Sequence, residues 1–277
     1  MNIKAAFIGG GNMGGALIRG LMARGLSPQN ISVGEAHQQR RIALADELGV
    51  HVTADNREAV QGADVVVLAV KPQDLANTAQ ALADVFAQRP PLVLSIAAGI
   101  RVSDIADWCG AGVAVARAMP NRPALNNAGA SALYAPAGLS EAHRALAATV
   151  LGAVGTTVWV PDEEALDVVT ALSGSGPAYF FLVTELMIEA AVSLGLERAS
   201  AQELALQTLY GSGQMARASD GDLARLRAEV TSKGGTTEAA VRAFESANLR
   251  TIVAGALGAA TDRGREMARA YGKSAKA

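Results

Sequence analysis

Ile8-Gly9-Gly10-Gly11-Asn12-Met13-Gly14 is the stretch on which the fold depends. An apolar run, residues 5–8, precedes it and an amphipathic stretch, 12–24, follows. Three glycines spaced G-x-G-x-x-G between a strand and a helix each have a mechanical reason. Gly9 permits the tight turn, Gly11 lets backbone approach a pyrophosphate, and Gly14 lets helix and strand pack closely. The helix start then offers unpaired N–H groups and the positive end of a dipole to that anion. Working outward, residues 31–33, 50–52, 64–70 and 92–96 read as further strands, with helical stretches between them. The run at 64–70, DVVVLAV, is continuously apolar after Asp64, as a strand covered on both faces must be. Strands alternating with helices in this way predict right-handed crossovers and a parallel sheet. Residues 113–117, 130–134 and 156–160 extend it.

After Pro161 the texture changes to Ala/Leu-rich helical periodicity, with helices expected over 179–194, 199–218, 237–244 and 249–271. The division expected is a dinucleotide-binding domain over 1–161 and a helical domain over 162–277. The second domain's helices are apolar on more than one face, which predicts burial against a second copy in a homodimer.

Composition narrows the function classes. The chain has 277 residues, 24 Lys+Arg against 26 Asp+Glu, and a net charge of -2. No basic excess is present to neutralise nucleic-acid phosphates. Half of the residues are hydrophobic and 18% are charged, which excludes a disordered chain. The lone Cys109 cannot form an internal disulfide and suggests a reducing compartment. His37, His51 and His143 are too scattered for a metal site, so none is expected. No continuous apolar run approaches a membrane span, and the start of the chain runs directly into a strand and is not a signal peptide. A cytoplasmic protein is expected.

The nucleotide site extends to the ends of the later strands. Gly34-Glu35 closes the second strand, where a carboxylate would accept from a ribose 2′-hydroxyl and favour NAD(H). Arg40 and Arg41 could instead clamp a 2′-phosphate and favour NADP(H), or simply begin a solvated helix. Ala69-Val70-Lys71-Pro72 and Ala97-Ala98 follow strands whose carboxyl ends should face the cofactor. Lys71 is open to two readings, a general acid or a residue touching a ribose.

Two glycine-rich loops mark the second half. Residues 170–179 read TALSGSGPAY, with Pro177 suited to the first turn of a helix. Residues 231–238 read TSKGGTTE. A Gly-Gly-Thr-Thr turn opening a helix could receive a carboxylate, or could be an ordinary cap formed by Thr236 or Thr237. No serine–histidine–acid or cysteine–histidine set is present, so a reductase built this way should act on a substrate that is already electrophilic, such as a protonated imine.

With AVKPQ at 69–73, SIAAGI at 95–100, MPN at 119–121, the TALSGSGPAY loop and SKGGTT at 232–237, the chain resembles the pyrroline-5-carboxylate reductase family along nearly its whole length. The resemblance implies an α/β Rossmann-type parallel-sheet domain followed by an all-helical dimerisation domain, and reduction of 1-pyrroline-5-carboxylate to L-proline with NADP(H) or NAD(H). It also implies homodimers, often gathered into rings, acting on a small molecule without nucleic acid or membrane. By motif, Ile8, Gly9, Gly10, Gly11, Asn12, Met13, Gly34, Glu35 and Asn56 would hold the cofactor's phosphates and adenosine end. Ala69, Val70, Lys71, Pro72, Ala97 and Ala98 would lie near its nicotinamide. Glu163, Ser173, Gly234, Gly235, Thr236 and Thr237 would line the substrate pocket, with the 232–237 loop coming from a partner subunit. Thr170 would be catalytic, bonding the developing amine. Arg122 and Lys233 depart from the family pattern, which more often has Thr and Pro there. Two other readings are a β-hydroxyacid dehydrogenase and a dinucleotide sensor without turnover. The first needs a lysine base in the second half, and no lysine lies between residues 72 and 232.

Overall fold

The structure, a computed structural model, describes residues 3–271. Eight strands form one sheet: β1 (Ala5–Ile8), β2 (Ile31–Gly34), β3 (His51–Thr53), β4 (Val65–Leu68), β5 (Leu92–Ser95), β6 (Ala114–Met119), β7 (Gly129–Tyr134) and β8 (Gly155–Trp159). Their order is β3-β2-β1-β4-β5-β6-β7-β8. Every pairing is parallel except β6 with β7, where Arg117 faces Tyr134 and Met119 faces Ala132. The expected sheet is therefore parallel with one antiparallel pair. Only nine residues separate Met119 from Gly129, too few for the dozen or more that a parallel crossover requires.

Helices occupy the other connections: α1 (Asn12–Ala23), α2 (Gln38–Leu48), α3 (Asn56–Ala59), α4 (Pro72–Gln80), α5 (Ala83–Gln88), α6 (Val102–Cys109) and α7 (Glu141–Gly152). They cover both faces of the sheet, and the two-residue period of the strands divides the core accordingly. Ala5, Phe7, Val65, Val67, Leu92 and Leu94 join Leu17 and Leu21 of α1 and Val150 of α7 in one buried cluster. Ala6, Ile8, Val66, Leu68 and Val93 join Leu75 of α4 and Ile105 of α6 in the other. Cys109 lies in that second cluster, and burial pushes its thiol up to about 12. It is expected to stay unmodified when the native protein meets a thiol reagent at neutral pH, reacting only once denatured. Stoichiometric labelling of the native protein would contradict this.

Beyond β8, α8 (Ala165–Val169) runs into a π turn, Thr170–Gly174, and on into α9 (Gly176–Ser193). Then come α10 (Arg198–Ala218), α11 (Leu223–Glu229), α12 (Thr236–Ser246) and α13 (Leu249–Tyr271). The expected helices are all present. The additions are α8 and α11, the start of α11 capped by the Asp222 side chain accepting from the Arg225 N–H.

Packing divides the chain later than residue 161. The described residues up to Ser175, with those from Ala259 onward, form one compact unit, and Gly176–Gly258 forms the other. The shift has an electrostatic cause. Arg117 on β6 donates to Glu163 at 2.6 Å, and Arg101 donates to Asp167 on α8 at 3.2 Å, fastening residues 163–167 to the sheet.

Within the second unit Gly176, Thr184 and Ala201 are the buried residues, while Phe180, Phe181, Leu186, Met187, Leu204, Phe244 and Ile252 are exposed. A helical unit cannot be stable with so much apolar surface in water. The helical stretch Ala165–Ser193 contains an 18-residue window of mean hydropathy 1.3 and is long and apolar enough by length and composition to cross a membrane, which differs from the expectation from continuous runs.

Candidate functional site

A cleft of about 700 Å³ opens at the carboxyl ends of β1, β2 and β4. The glycine turn builds its floor. Gly9 has φ +103, and a Cβ there would come 2.7 Å from the Ala69 carbonyl oxygen. A Cβ at Gly14 would overlap the Gly9 carbonyl oxygen, so α1 seats on the turn only because both residues lack side chains. A Cβ at Gly11 would meet nothing within 4 Å. Gly11 is also the N-cap of α1, and no side chain caps that helix. Open space in front of uncapped N–H groups fits the pyrophosphate of a dinucleotide.

Of the expected cofactor residues, Ile8, Gly9, Gly10, Gly11, Asn12, Gly34, Glu35, Asn56, Ala69, Val70 and Lys71 line this cleft. Met13, Pro72, Ala97 and Ala98 do not. Met13 packs against the core cluster on the α1 face, Pro72 opens α4, and Ala97 is buried in the cluster beneath β5. A Cβ on Gly34 would overlap Asn56 Oδ1, so the bare glycine lets the Asn56 amide lie against the end of β2. Lys71 is the N-cap of α4, exposed on the cleft wall.

Glu35 differs from its expected role. Its side chain is 4% exposed and spent on the protein itself. Oε2 accepts from the Gly10 N–H at 2.9 Å and from Arg40 at 3.1 Å, and Oε1 accepts from the His37 N–H at 2.9 Å. The carboxylate is a strut between the end of β2 and the glycine turn rather than a free acceptor for a ribose hydroxyl. Gly10 in consequence has no N–H to offer a phosphate. Arg41 is likewise committed, donating to the carbonyls of Glu35 and Ala36, whereas Arg40 remains half exposed on the cleft. Burial works to raise the Glu35 carboxyl, but the His37 and Gly10 N–H groups and Arg40 together hold it below the ordinary carboxylate value. A lowered pKa means the strut is complete above the usual carboxylate range and is lost only as pH falls through that lower value.

Arg19 and Glu47 also line the cleft, as a two-pronged pair at 2.8 and 2.7 Å. The sequence does carry a signal for Arg19, since Asn12, Gly15 and Arg19 stand at i, i+3 and i+7 on one face of α1.

The expected substrate residues fall into two groups. Glu163, Thr170 and Ser173 belong to the first compact unit, and Gly234, Gly235, Thr236 and Thr237 to the second. Glu163 is an anchor within the fold, its Oε1 accepting from Arg117 at 2.6 Å and from the Val102 N–H at 2.7 Å. Arg117 is almost wholly buried, and burial lowers its pKa against the opposing pull of Glu163. Both donors fall on Oε1, and together they hold this carboxylate in place within the first unit. Thr170 and Ser173 stand on the π turn, a distortion often found at functional sites. Their hydroxyls donate back to the Leu166 and Val169 carbonyls at 2.7 and 3.1 Å, which leaves the oxygens as acceptors.

In the second unit Gly235, not Thr236 or Thr237, is the N-cap of α12, and no side chain caps it. Gly234 has φ +72, and its N–H donates to Glu238 Oε2 at 2.7 Å. A carboxylate thus already occupies one N–H of the turn. Thr236 and Thr237 are the first two helical residues, where helical geometry leaves N–H groups without intrahelical partners.

Comparison with known proteins bears on this geometry. A family model described as pyrroline-5-carboxylate reductase dimerisation matches residues 163–267, and one described as NADP oxidoreductase coenzyme F420-dependent matches residues 4–99. The pyrroline-5-carboxylate reductase of Pseudomonas aeruginosa is 46% identical, covering 98% of each chain. That of Vibrio alginolyticus is 41% identical over 97% of this chain and 98% of its own. Among solved structures, a pyrroline-5-carboxylate reductase from Coxiella burnetii superposes with TM-score 0.93 at 40% identity, covering 96% of this chain and 99% of that one. The Plasmodium falciparum pyrroline carboxylate reductase with NADP bound gives 0.81 at 26% identity, covering 96% and 98%.

Proposed function

The chain belongs to the pyrroline-5-carboxylate reductase family and is an oxidoreductase that reduces 1-pyrroline-5-carboxylate to L-proline with hydride from NADH or NADPH; we propose that the following residues carry the reaction. The observation that supports the cofactor half best is the uncapped start of α1 facing open cleft at Gly11. Gly11 and Asn12 offer N–H groups to the pyrophosphate. Glu35 holds the turn in shape through Gly10, and Asn56 and Arg40 stand at the adenosine end. Lys71, in its quieter role, borders the ribose side of the nicotinamide.

The substrate carboxylate is received by the start of α12, through the N–H groups and hydroxyls of Thr236 and Thr237, on a loop contributed by a partner copy. Gly234 and Gly235 give that loop its shape. Thr170 then acts on the ring nitrogen as an acceptor. With its own proton directed at the Leu166 carbonyl, the hydroxyl oxygen can take the N–H of a protonated imine and hold that proton in place while the ring is reduced. Ser173, one turn on, has the same arrangement. The chain's contribution is orientation and exclusion of water, not covalent chemistry.

Pairing of the helical units into dimers is supported by the dimerisation model over 163–267 and by the exposed apolar faces. Apolar residues on more than one side of α9 favour further gathering into rings of dimers, and a second copy, not lipid, is what covers them. A cytoplasmic location is supported by the single buried cysteine.

The test is the initial rate of NADH and NADPH oxidation with 1-pyrroline-5-carboxylate, for the wild type and for Glu35→Ala and Glu35→Gln. The wild type is expected to turn over. Glu35→Ala, which removes the acceptor from Gly10, should raise KM for both cofactors about tenfold, as loss of a hydrogen bond to a charged group worth ~1.5–3 kcal/mol implies. Glu35→Gln keeps an acceptor for Gly10 and should lose less. A loss confined to NADH would return Glu35 to the role of ribose acceptor. A wild type that binds either cofactor without turnover would overturn the functional reading.

A further inference from the structure

We infer that Asn121 is a positioning residue for the reduction, its carboxamide fixing the π turn that carries Thr170 and Ser173 to the end of β6. The inference rests on the reading of Thr170 given above. It begins with two prolines. Met119 is the last paired residue of β6, opposite Ala132. Continuing that register would set Asn121 opposite Ala130, but Pro120 has no N–H and the strand ends before it. Past that end the Ala130 N–H is taken by a side chain, Asn121 Oδ1 at 2.8 Å. On the helical side, the residue four beyond Ser173 is Pro177, which has no N–H to give to the Ser173 carbonyl. That carbonyl takes Asn121 Nδ2 at 3.0 Å instead.

One side chain, 8% exposed, thus accepts from the Ala130 N–H past the end of β6 and donates to the Ser173 carbonyl that Pro177 leaves without a donor. A buried amide can do this only with a donor and an acceptor on the same planar group, which is the particular chemistry of Asn and Gln. A neighbouring contact strengthens the registration. A Cβ on Gly174 would come 2.8 Å from Met119 Cε, so the turn lies close against the side chain of the last paired residue of β6. The MPN stretch and the SGSGP stretch are in this sense two halves of one joint. Within the turn the Ser175 N–H bonds the Thr170 carbonyl at 2.8 Å, so a displacement at Ser173 reaches Thr170 through a single π-type ring. Asn121 does not line the cofactor cleft, which separates its expected effects from those on cofactor binding.

The experiment compares wild type, Asn121→Ala, Asn121→Asp, Thr170→Val and the Asn121→Ala/Thr170→Val double variant for kcat and for the equilibrium binding of NADPH. Asn121→Asp keeps an acceptor for Ala130 and sets a carboxylate oxygen against the Ser173 carbonyl in place of the donor, so it leaves the sheet end bonded where Asn121→Ala does not. Both single variants at Asn121 are expected to lose about tenfold or more in kcat with NADPH affinity unchanged, the size of one displaced hydrogen bond. The double variant should be no more than about twofold slower than the slower single variant, because residues acting as a unit are not additive. Unchanged kcat in Asn121→Asp, a parallel loss of NADPH affinity, fully multiplicative losses in the double variant, or a normal rate in Thr170→Val would each overturn the inference. A wild type without turnover would instead overturn the functional reading, and this inference with it.

Discussion

Glutamate at both Phe181 and Leu186 is expected to yield a monomer that still binds NADPH and has no measurable turnover. Phe181 is 64% and Leu186 53% exposed, and both stand on α9, in a unit whose buried residues are Gly176, Thr184 and Ala201. Each apolar side chain of this size gains ~1.5–3 kcal/mol from full burial. A carboxylate placed there would lose that gain and add a desolvation cost of several kcal/mol per buried ion. A dimer would carry four such charges. With every ~1.4 kcal/mol worth tenfold in affinity, the dissociation constant should rise by at least ~10⁴. The cofactor cleft is built from β1, β2, β4 and their helices, all in the other unit, so NADPH binding should survive and serves as the control for folding. Turnover should not survive, because the carboxylate-receiving loop at 232–237 is assigned to a partner copy. Sedimentation at the mass of one chain, with cofactor binding retained and activity lost, is the expected result. A variant that remains dimeric with full activity would show that α9 is not the interface, and a fully active monomer would return the 232–237 loop to the same chain's site.

The parts of the molecule written in short-range spacing were legible in the sequence. The strands and the glycine turn follow from period-two burial and from residues that must lack a side chain, and the structure holds them nearly where the sequence places them. What was not legible depends on distant pairing. Nothing local to Glu35 says that a glycine N–H twenty-five residues earlier will claim its carboxylate. Nothing near Glu163 says that Arg117 will. Those ion pairs also tie residues 163–167 into the first compact unit, a long-range pairing that composition does not register. The cap by Thr236 or Thr237, one of two readings the sequence leaves open, fails for a different reason. Thr is a good N-cap in isolation, but Gly234 at positive φ starts the helix one residue earlier and leaves Thr236 and Thr237 inside it. The antiparallel β6–β7 pair was legible in principle, because a nine-residue connection cannot make a parallel crossover.

Thr170→Val is expected to lower kcat about 10–100-fold while leaving NADPH affinity unchanged. Valine matches threonine in shape, so the substitution removes a hydroxyl and leaves no cavity. In the resting structure that hydroxyl bonds only the Leu166 carbonyl four residues back, a bond whose loss costs a helix little. The consequence should therefore fall on the reaction. If the hydroxyl oxygen accepts the N–H of a protonated imine, the bond removed is one to a charged group, worth ~1.5–3 kcal/mol, and each ~1.36 kcal/mol of lost transition-state stabilisation is tenfold in rate. Thr170→Ser restores the oxygen and should recover most of the rate. Because the proposed role is to hold a proton already on the substrate, the variant should also lose more at higher pH, where less of the imine is protonated without help. Single-turnover hydride transfer at several pH values, with NADPH binding measured separately, tests both points. An unchanged kcat in Thr170→Val would remove the hydroxyl from the reaction. A loss that Thr170→Ser fails to restore would assign the effect to the shape of the π turn rather than to its oxygen.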